Sequence, residues 1–313
     1  MKRLYKKIIL FLLPVLLVWV LTEVFYRTTD TNYTSKAEHV VKGYTDTELL
    51  VFGDSHTLYG INPSDFEMKT FNIANVSQSL YFDELLLQKH IKEHKKLKAV
   101  LLNISYFTLS RIDNEHEDAW RKYYYDQQMD LDVPIVSDWS PKKYSLALVR
   151  RFDRSFDLMH EFVRLGTVLD CRDNGYGIQD ATNIVDDKDE ITPIIVKKHE
   201  DNSQEFDHNI ERLKRIIALC KKHDVEVFIV EMPVYKAYFE QLNTEKRDKI
   251  TAICEDLDAS FENVRYFNLL QDAHFVNSDL RDADHLTNEG ATKCSKLLSA
   301  KISAVLQRQN VNY

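Results

Sequence analysis

Between positions 51 and 60 the chain reads VFGDSHTLYG, an apolar run closed by Gly53, Asp54, Ser55 and His56 in a protein with seven glycines among 313 residues. A serine at the end of a strand can act as a nucleophile. Its hydroxyl is weak, however, and needs a general base within hydrogen-bond reach that is itself held by an acceptor. Near the other end, FVNSDLRDADHLTNEGA supplies both partners, Asp282 and His285, on what the pattern marks as a loop ahead of the last helix. That spacing lets a carboxylate hold one imidazole nitrogen while the other faces a hydroxyl. The carboxylate also fixes the tautomer and favours the imidazolium. Asp279 and Asp284 compete for this role. Asp284 is adjacent to the histidine in sequence, so its side chain is expected to project elsewhere, which favours Asp282. His56 is expected to diverge from its neighbour Ser55 rather than serve as its base, and Asp54 to stabilise the turn through backbone amides.

Two segments about 230 positions apart must therefore meet, and the intervening pattern says how. ELLVFGDS reads as a buried strand entering a turn, KTFNIANVS as a short second strand, and KAVLLNISYF as a central parallel strand. SLYFDELLLQKHIKEHKK carries apolar residues at helical spacing. Alternation resumes with the helix EFDHNIERLKRIIALCKKHD, the strand VEVFIVEMPV, the helix EKRDKITAICEDLDA, the strand NVRYFNLL and the helix TNEGATKCSKLLSAKISAVLQ. Such alternation predicts an α/β fold of three layers, α/β/α, with a mostly parallel sheet. Ligands of these sheets sit beyond the carboxyl ends of the strands, where Ser55 falls.

The first 26 residues place Lys2, Arg3, Lys6 and Lys7 ahead of the apolar run IILFLLPVLLVWV, which extends to Tyr26. This is expected to be a signal anchor or transmembrane helix, with the basic start inside and the remaining chain exported. A cleaved signal peptide also fits a charged start and a short apolar core, but no Ala-x-Ala-like site follows. Residues 27–46 are polar and are expected to form a juxtamembrane linker; residues 47–308 form the α/β domain, interrupted by a partly helical insertion at about 110–205 with a loop near 170–203. Trp120, Tyr123, Tyr124, Tyr125 and Trp139 enrich the insertion in aromatics, as a small core or as a sugar-stacking platform. Cys171, Cys220, Cys254 and Cys294 show no metal-ligand spacing, and the chain has no phosphate-cradling Gly-rich loop, so no metal and no cofactor is expected. A net charge of −8 argues against a nucleic-acid partner.

Gly53-Asp54-Ser55 followed late by Asp282-x-x-His285 resembles the SGNH (GDSL-type) hydrolases, over roughly residues 47–108 and 205–308. DADHLTNEGATKCSKLL is similar to the tail of envelope-associated members such as the D-alanyl transfer protein of teichoic-acid synthesis and the alginate acetylation proteins. The resemblance implies a membrane-anchored serine O-acyltransferase outside the cytoplasm, with acetyl as the acyl group. Ser55 would take the acyl group, His285 would act as base and then acid, and Asp282 would orient it. An envelope polysaccharide would be the acceptor, and a membrane-bound protein that hands over the acyl donor a further partner. With water as acceptor the enzyme would be an esterase. The family's oxyanion hole takes a Gly amide and an Asn side chain. Here ANVSQS puts Ser77 where the Gly is expected, with Asn75 nearby, and LLNISYF offers Asn103 or Ser105, alongside the amide of Ser55. There is no glycine between Gly60 and Gly166, which is what a catalytically inactive envelope scaffold would allow.

Overall fold

The computed structural model describes residues 2–112, 118–179 and 184–311. Along the chain run helices α1 (Lys2–Thr28) and α2 (Asn32–Lys42), strand β1 (Leu49–Phe52), helix α3 (Ser55–Gly60), strand β2 (Thr70–Asn72), helix α4 (Leu80–His90) and strand β3 (Ala99–Asn103). Helices α5 (Arg121–Gln128), α6 (Phe152–Leu165), α7 (Lys188–His199) and α8 (Asp207–Lys222) precede strand β4 (Glu226–Glu231). Helices α9 (Lys236–Gln241) and α10 (Thr244–Ser260), strand β5 (Val264–Asn268) and helix α11 (Asn288–Val311) complete the order. These elements divide into two compact units, Met1–Ala37 with Glu117–Leu169, and Glu38–His116 with Asp170–Tyr313.

The larger unit is built on a five-stranded sheet in the order β2-β1-β3-β4-β5, with every pairing parallel. Its central strands β1, β3 and β4 are largely apolar because both faces are covered, whereas the edge strands β2 and β5 carry Thr70, Asn72, Arg265 and Asn268. Leu49, Val51, Ala99, Leu101, Phe228 and Val230 pack with Ala291, Cys294, Leu298 and Ile302 of α11. The alternate positions Leu50, Phe52, Val100, Leu102, Val227 and Ile229 are equally buried, and α4 and α8 lie against each other. The three-layer α/β fold expected from the alternation is therefore present. The chain leaves β1 for β2 on one flank and returns to β3 on the other, which opens a crevice at the carboxyl ends of β1 and β3.

Two stretches differ from expectation. Residues 32–42, read as a polar linker, form α2, because Tyr33, Lys36 and Val40 fall on one buried face. Two of those three are apolar, so the sequence pattern is faint. Within 170–203, read as a loop, residues 188–199 form α7, capped by the Asp187 carboxylate on the Glu190 amide and closed by Lys197, Lys198 and His199. Residues 170–179 belong to the larger unit: Asn174 accepts from the Asn72 amide (3.0 Å) and the Gly177 amide donates to Leu58 (2.8 Å).

In the smaller unit α1 is exposed at every residue from Arg3 to Leu21 and becomes packed from Thr22 onward. Its apolar part is long and apolar enough to cross a membrane. Trp19 Nε1 donates to Ser145 Oγ (3.0 Å), Ser145 Oγ to Glu23 (2.7 Å), and Tyr26 Oη to Ser155 Oγ (3.0 Å). Tyr123, Tyr124 and Tyr125 are buried, with Tyr33 edge-on to the latter two, so these aromatics are core; Trp139 is 96% exposed.

Gly53 closes β1 at a φ of +122°, and a Cβ there would stand 2.8 Å from both Asn103 Cβ and Thr57 Oγ1. Gly53→Ala therefore carries backbone strain and a clash together. It is expected to cost about 1–3 kcal/mol and to lower the thermal unfolding midpoint measured by circular dichroism.

Candidate active site

Ser55 is the first residue of α3. The turn before it is held by Asp54, whose Oδ1 accepts from the His56 amide at 2.9 Å as a helix cap. The second half of the site comes from the loop ahead of α11, closed by an antiparallel bridge between Leu280 and Leu286. Inside that loop, Asp282 Oδ1 accepts from the amides of Asp284 (3.1 Å) and His285 (2.8 Å), while Arg281 Nη2 donates to its Oδ2 (3.0 Å). His285 is then presented with Nε2 2.9 Å from Ser55 Oγ and Nδ1 3.1 Å from Asp282 Oδ1. The three residues picked from spacing thus meet as a hydroxyl, an imidazole and a carboxylate in line. Asp279 does other work, accepting from the Val276 amide (2.9 Å) and from Lys293 (2.7 Å) at the start of α11.

Asp284 does not project elsewhere, as its sequence neighbourhood suggested. The tight loop turns it inward, with Oδ2 3.0 Å from His56 Nε2 and Oδ1 3.2 Å from His285 Nδ1. His56 does diverge from Ser55 but remains in the site. Its Nδ1 lies 2.7 Å from Asp54, and its ring stacks on His285 at 4.9 Å between centroids. His199 stands behind, its Nδ1 2.8 Å from Tyr238 Oη and 3.8 Å from Asp284 Oδ2.

These contacts set the protonation states. Burial opposes the His56 imidazolium, but the carboxylates of Asp54 and Asp284 outweigh it and lift the ring to about 10. For His285 burial likewise opposes the charge, yet Asp284 and Asp282 raise it to about 9. Asp54, despite burial, is held down to about 2 by His56 and Ser105. His199 goes the other way, since burial outweighs the distant carboxylate and pushes it down to about 3.

The oxyanion candidates fare differently. As the first helical residue, Ser55 has an amide with no acceptor inside the helix. Ser77 has a φ of +56°, the left-handed conformation that suits the glycine expected there. Its turn is fastened to Gly53, because the Asn75 amide donates to the Gly53 carbonyl (3.3 Å) and Gly53 and Gln78 both donate to Asp83. Asn103 departs from expectation. Its amide hydrogens go to Asp54 Oδ1 (3.1 Å) and Ser105 Oγ (2.7 Å), so it braces the Asp54 turn. Ser105 Oγ in turn donates to Asp54 Oδ2 (2.7 Å).

His56, Asp284 and His285 bring one ligand atom each within 4.8 Å of one another, the one grouping among the described residues able to hold a metal ion. Their nitrogens are already engaged, and a metal on His285 Nδ1 would displace Asp282.

No family model and no curated protein matches the chain. Solved structures similar to it include a Streptococcus pneumonia protein provisionally described as a platelet activating factor, at 12% identity and a TM-score of 0.41, covering 93% of this chain and 97% of that one. A Bacteroides fragilis protein provisionally described as an acylhydrolase aligns at 10% identity and a TM-score of 0.39 over 83% of this chain and 88% of its own. A GDSL-like lipase from Bacteroides thetaiotaomicron aligns at 8% identity and a TM-score of 0.40 over 89% and 99%.

Because Asp284 favours the imidazolium, removing its charge takes that support away. In an NMR titration of the histidine rings, His285 is expected to titrate well above the ordinary value of about 6.5. In Asp284→Asn its midpoint is expected to fall.

Proposed function

We propose that the chain is a membrane-anchored serine acyltransferase that works through an acyl-enzyme on Ser55. The observation that carries the proposal is the alignment of Ser55 Oγ, His285 and Asp282 within hydrogen-bond reach of one another. Ser55 Oγ attacks the carbonyl carbon of an acyl donor while His285 Nε2 takes the hydroxyl proton. The tetrahedral intermediate expels the donor's leaving group, which receives that proton from His285. An acceptor hydroxyl then attacks the acyl-enzyme, His285 takes and returns a proton again, and the ester of the acceptor leaves with Ser55 restored. The amides of Ser55 and of the Ser77 turn are the donors proposed for the negative oxygen of each intermediate.

The acceptor we propose is a hydroxyl of a cell-envelope polysaccharide, and the acyl group acetyl. The support is the apolar exposed α1, which suits a catalytic unit fixed at a membrane facing the envelope, together with the motif resemblance of the sequence. Water reaching the same acyl-enzyme gives an esterase, so small aryl acetates serve as test substrates for either outcome.

In detergent solution the protein is expected to be labelled at Ser55 by a fluorophosphonate probe and to hydrolyse an aryl acetate. Labelling that is absent, or that persists in Ser55→Ala, contradicts the proposal. Asp282→Asn leaves the hydroxyl in place but loses the group that orients His285, and is expected to lower kcat by up to about 10⁴-fold.

The base must be neutral to accept a proton, and its neutral form appears as pH rises through the raised His285 value. The acylation rate is therefore expected to climb between pH 7 and about 9 in the parent. In Asp284→Asn the climb is expected at lower pH.

A further inference from the structure

We propose that the smaller unit is seated on the membrane surface, with α6 lying in the lipid interface beside the membrane-spanning part of α1; this rests on the reading of α1 as a membrane span. The bare segment of α1, from Arg3 to Leu21, measures about 28 Å at the helical rise, close to the hydrocarbon thickness of a bilayer, with the long side chains of Arg3, Lys6 and Lys7 reaching back to the headgroups at its start. Packing begins within the last turn of that stretch, at Trp19. Trp19 and Glu23 hold the 145–147 segment, Tyr26 bonds Ser155 of α6, and the Phe25 ring meets Phe162 of α6 at 5.7 Å between centroids. The contacts to α6 lie within one and a half turns of the last bare residue, so they fall about 5–10 Å beyond it, at headgroup depth.

Helix α6 is amphipathic with more apolar surface than α1 covers. Ser155 and Phe162 form the side turned to α1. Phe152, Phe156 and Val163, at intervals of four and seven, share an adjacent stripe and are 60%, 59% and 83% exposed. Asp153, Asp157, His160, Glu161 and Arg164 take the arc opposite the side turned to α1 and border the stripe. An unpartnered stripe of this kind, continuous with a bare apolar helix, fits lipid. From residue 142 to 164 the chain has six Lys or Arg against three Asp or Glu, although the chain as a whole is acidic. That local excess suits lipid phosphates at the interface.

The test uses the full-length protein in vesicles of phosphatidylethanolamine and phosphatidylglycerol, with a nitroxide placed at one introduced cysteine at a time. The four native cysteines are buried, and the chosen positions Phe156→Cys, Val163→Cys, Glu161→Cys and Leu12→Cys are exposed, so folding is spared. Collision with oxygen is expected to exceed collision with a water-soluble nickel chelate at 12, 156 and 163, and to fall below it at 161. Positions 156 and 163 as open to nickel as 161, with 12 in lipid, overturn the seating and leave the anchor standing. Low collision with both reagents at 156 and 163 means that protein covers the stripe, and overturns it equally. A probe at 12 that meets nickel freely defeats the anchor and the seating together.

Discussion

Asp284 is 2% exposed, and a carboxylate withdrawn from water is costly by several kcal/mol unless charge and hydrogen bonds meet it in the interior. It is met by the His56 ring from the turn after β1, 228 positions away, and by the edge of His285 from its own loop. His56 is itself sandwiched between Asp284 and Asp54, so the turn that presents Ser55 and the loop that presents His285 are closed by one buried chain of alternating charge. That chain brings the hydroxyl and the imidazole together. Asn103 and Ser105 extend it into β3, so the rim of the central strands is tied to the same network.

The network has a chemical consequence. Two carboxylates beside His285 favour its charged form, which would stabilise the imidazolium in the proposed proton transfer from Ser55. The same field leaves less neutral imidazole available beforehand. Arg281, held against Asp282, and the His56 imidazolium, stacked on His285, both temper this by opposing added positive charge. A second histidine in the stack therefore acts as an electrostatic partner of the first, fixed in position by its own pair of carboxylates.

The architecture is legible because the central strands β1, β3 and β4, buried on both faces, are largely apolar, and the strand and helix periods alternate around them. The pairing of Ser55, Asp282 and His285 was legible for a similar reason: each motif stands at a boundary between a periodic element and a turn. The inward turn of Asp284 is hidden from the sequence, because side-chain direction in a tight loop depends on backbone turns that adjacency does not reveal. His56 and His199 carry no spacing signal, since their partners come from distant segments. Asn103 braces the Asp54 carboxylate, a task its residue type does not single out, since an amide suits donation to an intermediate equally well. The helices α2 and α7 hide in polar stretches whose buried faces contain few apolar residues.

The smaller unit explains how an insertion and the N-terminal helix can belong together although residues 38–116 separate its two stretches: Ser145, Ser155 and the tyrosine cluster give the end of α1 its hydrogen bonds and aromatic contacts. The larger unit carries Ser55, Asp282 and His285, and the reaction proposed for them passes through a covalent acyl-enzyme. Rapid acid quench of the full-length protein mixed with an aryl acetate, followed by peptide mass mapping, tests it most directly. The account predicts a mass gain of one acetyl group on the peptide bearing Ser55 and nowhere else. An unmodified Ser55 peptide during turnover, or an acetyl group on another residue, would contradict it.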